Sequence, residues 1–167
     1  MALMSAVLPA GCVTDKIDDV WSVGVGEQCP AFEVRMHDGS LLSDGMLEGK
    51  RSLIVFFDTG CGDCRKELPV VQEVYDAVKA GDEDVEVVCI SRGEGEAVVS
   101  AYWRDNGLSL PYSAQSDATV YHRFASSVVP RIYVVSPTLT ITAAFSDNPL
   151  PDRSVLLAAL GINEVSD

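Results

Sequence analysis

Basic residues are scarce in this chain of 167: 12 Lys and Arg stand against 25 Asp and Glu, a net charge of −13. Such a balance argues against nucleic acid as a partner and against electrostatic docking on anionic lipid, since both need positive charge on the protein. It suits a soluble acidic surface. Histidine is rarer still. His37 and His122 are not spaced as metal ligands, and one Cys-x-x-Cys falls short of the four ligands of a structural zinc site, so no metal is expected. No apolar run reaches the ~20 residues that a membrane-spanning helix needs. No stretch reads as a linker, so the length fits one domain, and a composition 47% hydrophobic and 22% charged suits a packed core.

Five cysteines make an odd number without the spacing of a disulfide scaffold, and a chain of this length does not depend on such staples. Cys89 lies in the β-rich run 85–90 and reads as a small buried hydrophobe. Cys29, beside Pro30 in a loop-like segment, has no evident task. Cys12 closes an apolar, uncharged stretch that gives way to acidic residues. Residues 1–20 therefore read as a leader and tether, and 21–163 as the folded domain. Leu8-Pro9-Ala10-Gly11-Cys12 resembles a bacterial lipoprotein signal, in which the cysteine after small residues receives lipid. It departs from that pattern in lacking Lys or Arg before Cys12 and in having Pro9 where a Leu-like residue is usual.

Along the rest of the chain the pattern alternates between strand and helix. Residues 31–35 predict a short strand, His37-Asp38-Gly39-Ser40 a turn, and Leu41-Leu42 the return of a hairpin. A short helical turn follows over 43–50. The continuous apolar run 52–57 predicts a central strand buried on both faces. Helical spacing predicts a helix over 65–78, kinked at Pro69 and ended by Gly81-Asp82. A second buried strand is expected over 85–91 and an amphipathic helix over 95–106, stopped by Gly107. Asp117 predicts the cap of a further helix through Phe124. Strands over 131–135 and 139–145 form a hairpin across Ser136-Pro137-Thr138, and a last helix over 155–160 is capped by Asp152 or Ser154. The order predicts an α/β sandwich with a mixed central sheet, an N-terminal β-hairpin and an added helix.

Cys61-Gly62-Asp63-Cys64 directly follows the apolar run ending at Phe57. A cysteine at a strand-to-helix junction sits where unpaired backbone N–H groups and the helix dipole favour a thiolate. A second cysteine one turn inward can close a disulfide with it. A dithiol that opens and closes is a two-electron redox device.

The segment Phe56-Phe57-Asp58-Thr59-Gly60-Cys61-Gly62-Asp63-Cys64-Arg65-Lys66-Glu67-Leu68-Pro69 resembles the active site of thioredoxin-fold proteins. The pattern Cys-x-x-Cys-Arg-x-Glu-x-Pro is similar to the TlpA/ResA-like thiol–disulfide oxidoreductases of the bacterial envelope, relatives of the AhpC/TSA and Redoxin group. Val128-Val129-Pro130-Arg131-Ile132-Tyr133-Val134 looks like the family's cis-proline loop entering a strand. Val23-Gly24 through Cys29-Pro30-Ala31-Phe32 is similar to its lead-in. The resemblance covers about residues 23 to 162 and implies a three-layer α/β/α thioredoxin-like sandwich with an extra inserted helix. Three positions depart from the family. Gly60 stands where an aromatic is usual, Gly62-Asp63 replaces the commoner Gly-Pro, and Val55 occupies the place of a buried carboxylate that many thioredoxins use to move protons.

The resemblance implies thiol–disulfide exchange, with Cys61 attacking, Cys64 resolving, and Val129 and Pro130 offering backbone to an extended substrate segment. No cofactor beyond the Cys61–Cys64 disulfide is implied. Gly62 and Asp63 are the expected redox-tuning positions. A carboxylate at 63 opposes the thiolate, which favours the reducing direction. Glu67 and Arg65 read as solvated helix residues, and Asp58 as a loop cap. The implied partners are protein thiols or disulfides and an upstream envelope electron donor. The expected setting is a monomer in the periplasm or envelope, tethered if Cys12 carries lipid. Two other classes remain open: a peroxiredoxin-like peroxidase, whose Pro-x-x-x-Thr-x-x-Cys pattern is missing, and a binding module, which has no need of both sulfurs.

Overall fold

In a computed structural model, which describes residues 22–162, the apolar run after Lys50 becomes the strand β3 (Arg51–Phe57). Residues from Ser52 to Phe57 are fully buried, as the unbroken run of apolar side chains demands. Before β3 lies a two-stranded hairpin, β1 (Glu33–Arg35) and β2 (Leu41–Ser43), turned at Gly39 with φ +86°. A 3-10 turn, Asp44–Leu47, links the hairpin to β3. After β3 come α1 (Gly62–Ala80), β4 (Val85–Ser91), α2 (Glu96–Asp105), β5 (Tyr112–Ser113), β6 (Arg131–Val135), β7 (Ile141–Phe145) and α3 (Arg153–Ala159). Cys12 and the leader lie outside the described residues.

The main sheet has the order β5-β4-β3-β6-β7. β3 pairs in parallel with β4, which pairs in parallel with β5, while β6 and β7 run antiparallel. The central strand thus has one partner of each sense, the mixed sheet of a thioredoxin-like fold. Consecutive side chains of β3 point to opposite faces. Phe57 packs on Trp103 of α2, whereas Phe56 packs on Tyr121, Phe124 and Tyr133. α1 buries Leu68, Val71, Val74 and Val78 and contacts α3. Full burial of such side chains stabilises by roughly 1.5–3 kcal/mol each.

The structure differs from the sequence expectation in three places. α1 begins at Gly62, three residues before the expected start, and ends at Ala80, with Pro69 in its interior as expected. The strand β5 was not expected. Its two residues are placed by pairing with Cys89 and Ile90 rather than by any local pattern. The helix expected from Asp117 shrinks to a single 3-10 turn, Tyr121–Arg123. The Asp117 carboxylate accepts from Thr119 N–H two residues on, which closes a local turn instead of capping a helix. Asp152 does cap α3, accepting from Val155 N–H at 2.9 Å.

Candidate active site

The end of β3 and the start of α1 place the two sulfurs. Cys61 is the N-cap residue of α1, with extended backbone (φ −80°, ψ 125°). Its carbonyl accepts from Arg65 N–H at 3.1 Å, and its own N–H donates to the Asp58 carbonyl at 3.1 Å. Cys61 is half-buried, and its thiol donates to the Val129 carbonyl at 3.4 Å. That carbonyl belongs to the loop entering β6, where the Val129–Pro130 peptide bond is cis. The structure therefore brings Cys61, Val129 and Pro130 together across 68 residues of chain.

Cys64 lies one turn inward and is fully buried. Both cysteines are free thiols, as are Cys29 and Cys89. Burial pushes the Cys64 thiol far above its ordinary value. The Asp58 backbone opposes this by hydrogen bonding, while a hydrogen bond with Cys61 reinforces it. Position and chemistry agree: one sulfur faces solvent and the other stays protonated behind it.

The loop before Cys61 is held by several side-chain hydrogen bonds. Asp58 Oδ1 accepts from Gly60 N–H at 2.8 Å, and its Oδ2 meets Arg92 Nη2 at 3.2 Å. A Cβ on Gly60 would sit 3.1 Å from Asp58 Oδ1, so the glycine at the usual aromatic position leaves room for this turn to close. Thr59 donates its N–H and its hydroxyl to the two oxygens of Glu94, each at 2.6 Å, and its carbonyl accepts from Arg65 Nε at 2.6 Å. Asp58 thus caps the loop, as expected. Arg65 differs from expectation. Although its residue is exposed, it bonds the Thr59 carbonyl and stands 5.9 Å from the Tyr102 ring centroid, so it is tied to the site rather than merely solvated.

Glu67 is the larger correction. Expected in solvent, it is only 2% exposed, and its Oε1 has no hydrogen-bond partner. Burial, with a smaller contribution from Asp152, raises its carboxyl to about 7. The signal was in the helical spacing: Cys64, Glu67, Val71, Val74 and Val78 all fall on the buried side of α1. Val55, where many thioredoxins place a carboxylate, is fully buried and lies between Cys89 and Ile132 in the sheet.

Of the two residues between the cysteines, Gly62 is exposed and has open space around the position of a Cβ. Asp63 pairs with Lys66 at 2.8 Å, which raises the Lys66 ammonium further above its ordinary value. Among the described residues no three His, Cys, Asp or Glu side chains gather as metal ligands would, and no helix is long and apolar enough to cross a membrane.

A family model for AhpC/TSA proteins matches residues 25–144 of this sequence. The chain belongs to the AhpC/TSA family. Within that family it is TlpA/ResA-like. It is 28% identical over 141 residues to the thiol-disulfide oxidoreductase ResA of Oceanobacillus iheyensis, covering 82% of this chain and 72% of that one. With the ResA of Bacillus subtilis it shares 26% identity over 116 residues, 70% of this chain and 64% of the relative. The chain therefore spans just under two thirds of the Bacillus subtilis protein. The fold is similar to that of the thioredoxin domain of a thiol-disulfide oxidoreductase from Bacteroides vulgatus, with a TM-score of 0.69 at 22% identity, covering 84% of this chain and 99% of that one.

Proposed function

We propose that this AhpC/TSA family member is a protein thiol–disulfide oxidoreductase that reduces substrate disulfides. The observation that carries the reading is the paired geometry of the sulfurs: Cys61 at the N-cap of α1 beside the Val129 carbonyl, and Cys64 fully buried one turn behind. The Cys61 thiolate attacks one sulfur of a substrate disulfide, forms a mixed disulfide and expels the other sulfur as a thiolate. Cys64 then loses its proton and attacks the Cys61 sulfur. This closes the Cys61–Cys64 disulfide and releases the second substrate thiolate, so that two electrons pass to the substrate. An extended substrate segment aligns on the backbone at Val129, beside Pro130. A donor dithiol returns the pair to the reduced form.

A carboxylate at Asp63 disfavours the Cys61 thiolate and so makes the pair a better electron donor, with Lys66 moderating it. Resemblance to envelope proteins supports an extracytoplasmic setting, with an envelope donor and a tether through Cys12. The peroxidase reading is less favoured, because the Thr59 hydroxyl donates to Glu94 and is not directed at the sulfur. The test is insulin reduction by the wild type, followed by a Cys64→Ser variant that should halt at a mixed disulfide detectable by mass. Full turnover by Cys64→Ser rules out the dithiol mechanism. Peroxide consumption without insulin reduction favours the peroxidase.

A further inference from the structure

The loop between β4 and α2 makes a series of contacts with the chain leading to Cys61. Arg92 N–H donates to the Phe57 carbonyl at 2.9 Å. The Arg92 guanidinium meets Asp58 Oδ2 at 3.2 Å. Glu94 takes both donors of Thr59 at 2.6 Å. Three successive residues, 57 to 59, are thus each bonded to one short loop. That loop is itself fixed from below, since the Ser91 hydroxyl donates to the Glu94 carbonyl at 2.8 Å and accepts from Gln115 N–H at 2.8 Å. Arg92 also reaches the other half of the site, where its Nη1 donates to the Ser127 carbonyl at 3.3 Å. Ser127 leads directly into Val128, Val129 and Pro130.

We propose that Glu94 and Arg92 are positioning residues for the reaction, forming a bracket that fixes Cys61 relative to the Val129–Pro130 loop. The proposal rests on Cys61 being the nucleophile. Attack on a disulfide requires the thiolate to approach along the S–S axis, and the loop at Val129 holds the substrate that presents this axis. Both halves must therefore keep a fixed separation, and misplacement by about 1 Å can cost on the order of 100-fold in rate. The two oxygens of Glu94 match the two donors of Thr59, a charge-assisted pair with more geometric definition than a single bond. Arg92 then ties Asp58 to Ser127 directly. Neither side chain touches the sulfur, so both act through Thr59 and Asp58.

The experiment compares two rates on the full chain: insulin disulfide reduction, which needs aligned attack, and Cys61 alkylation by iodoacetamide, which needs no alignment with Val129. Glu94→Ala should lower insulin reduction roughly 10- to 100-fold, while alkylation of Cys61 changes less than about threefold. Glu94→Gln, which can still accept from Thr59 N–H and pair with its hydroxyl, should restore most of the rate. Thr59→Val combined with Glu94→Ala should be no slower than Glu94→Ala alone, since both remove one interaction. A folded Glu94→Ala protein with the wild-type insulin rate overturns the proposal, and so does an equal fall in both rates. If Glu94→Ala fails to fold, Arg92→Ala and Thr59→Val decide on the same two rates. A wild type that alkylates at Cys61 but never reduces insulin instead overturns the function on which the proposal rests.

Discussion

The buried carboxyl of Glu67 makes stability depend on pH in a way that one substitution should remove. Its value rises from the ordinary 4.5 to about 7, because charging it in a buried site is unfavourable, with a smaller contribution from the Asp152 charge. In the folded state it holds its proton at pH values where the unfolded chain has released it. The folded state then binds more protons, so stability falls as pH rises from 4.5 through about 7. At about 1.4 kcal/mol per pH unit, the full shift is on the order of 3 kcal/mol, most of it lost between pH 5 and pH 8. Asp38, Asp117 and Asp152 are held below their ordinary values by hydrogen bonds, so their contribution is lost only as pH falls below about 4, outside this window. Glu67→Gln keeps the shape and removes the titration. In urea denaturation with reductant present, the variant should gain roughly 2–3 kcal/mol over the wild type on going from pH 5 to pH 8, roughly 5–10 °C in melting midpoint for a domain of this size. General repulsion among the acidic residues affects both proteins and cancels in the comparison. Parallel stability curves for the two proteins would show that Glu67 is ionised and accommodated at neutral pH, and would refute the reasoning.

Iodoacetamide added to the native reduced protein should label Cys61 while leaving Cys29, Cys64 and Cys89 protected, because all three are buried and burial holds their thiols protonated, Cys29 up to about 12. Peptide mass mapping reads this, and rapid labelling of Cys89 in folded protein contradicts it. Asp63→Asn should make the dithiol more oxidising and Lys66→Met more reducing, each by roughly 5–20 mV given the small worth of exposed pairs. Equilibration with glutathione buffers measures both, and shifts of the same sign would contradict the opposition of the two charges. Asp152→Ala removes the side-chain bond that caps α3 and should lower the midpoint of urea denaturation, with insulin reduction unchanged.

The placement of Cys61 and Cys64 at a strand–helix junction is legible in the sequence because its signals are local. A continuous apolar run, two cysteines at a fixed spacing and a helical stripe all lie within 30 residues, and each needs only its neighbours to be understood. Cys89 is legible as a small buried side chain for the same reason, lying mid-strand in an apolar run. What escaped depends on partners far along the chain. β5 exists through its pairing with β4, and the Glu94 clamp on Thr59 joins residues 35 apart with no sequence pattern to announce it. Glu67 departs from the expectation because a charged residue near a helix start ordinarily faces water. Its place on the stripe with Val71 and Val78 carried the contrary signal. At Asp117 the capping preference was real, but the side chain satisfied its neighbour's N–H in a tight turn.

The antiparallel pairing of β3 with β6 also sets an order of events during synthesis. Val55 is matched with Ile132, and the Cys61 sulfur with a carbonyl 68 residues later. A ribosome adding about 5–20 residues per second needs roughly 3–14 s to cover that interval. Throughout those seconds the growing chain carries both sulfurs, Cys61 and Cys64, but not the loop that will stand opposite them. On the function proposed above, the half that attacks is made first and the half that holds the substrate is made last. Until β6 docks, discrimination between a proper substrate and a neighbouring nascent cysteine rests on the sulfurs alone.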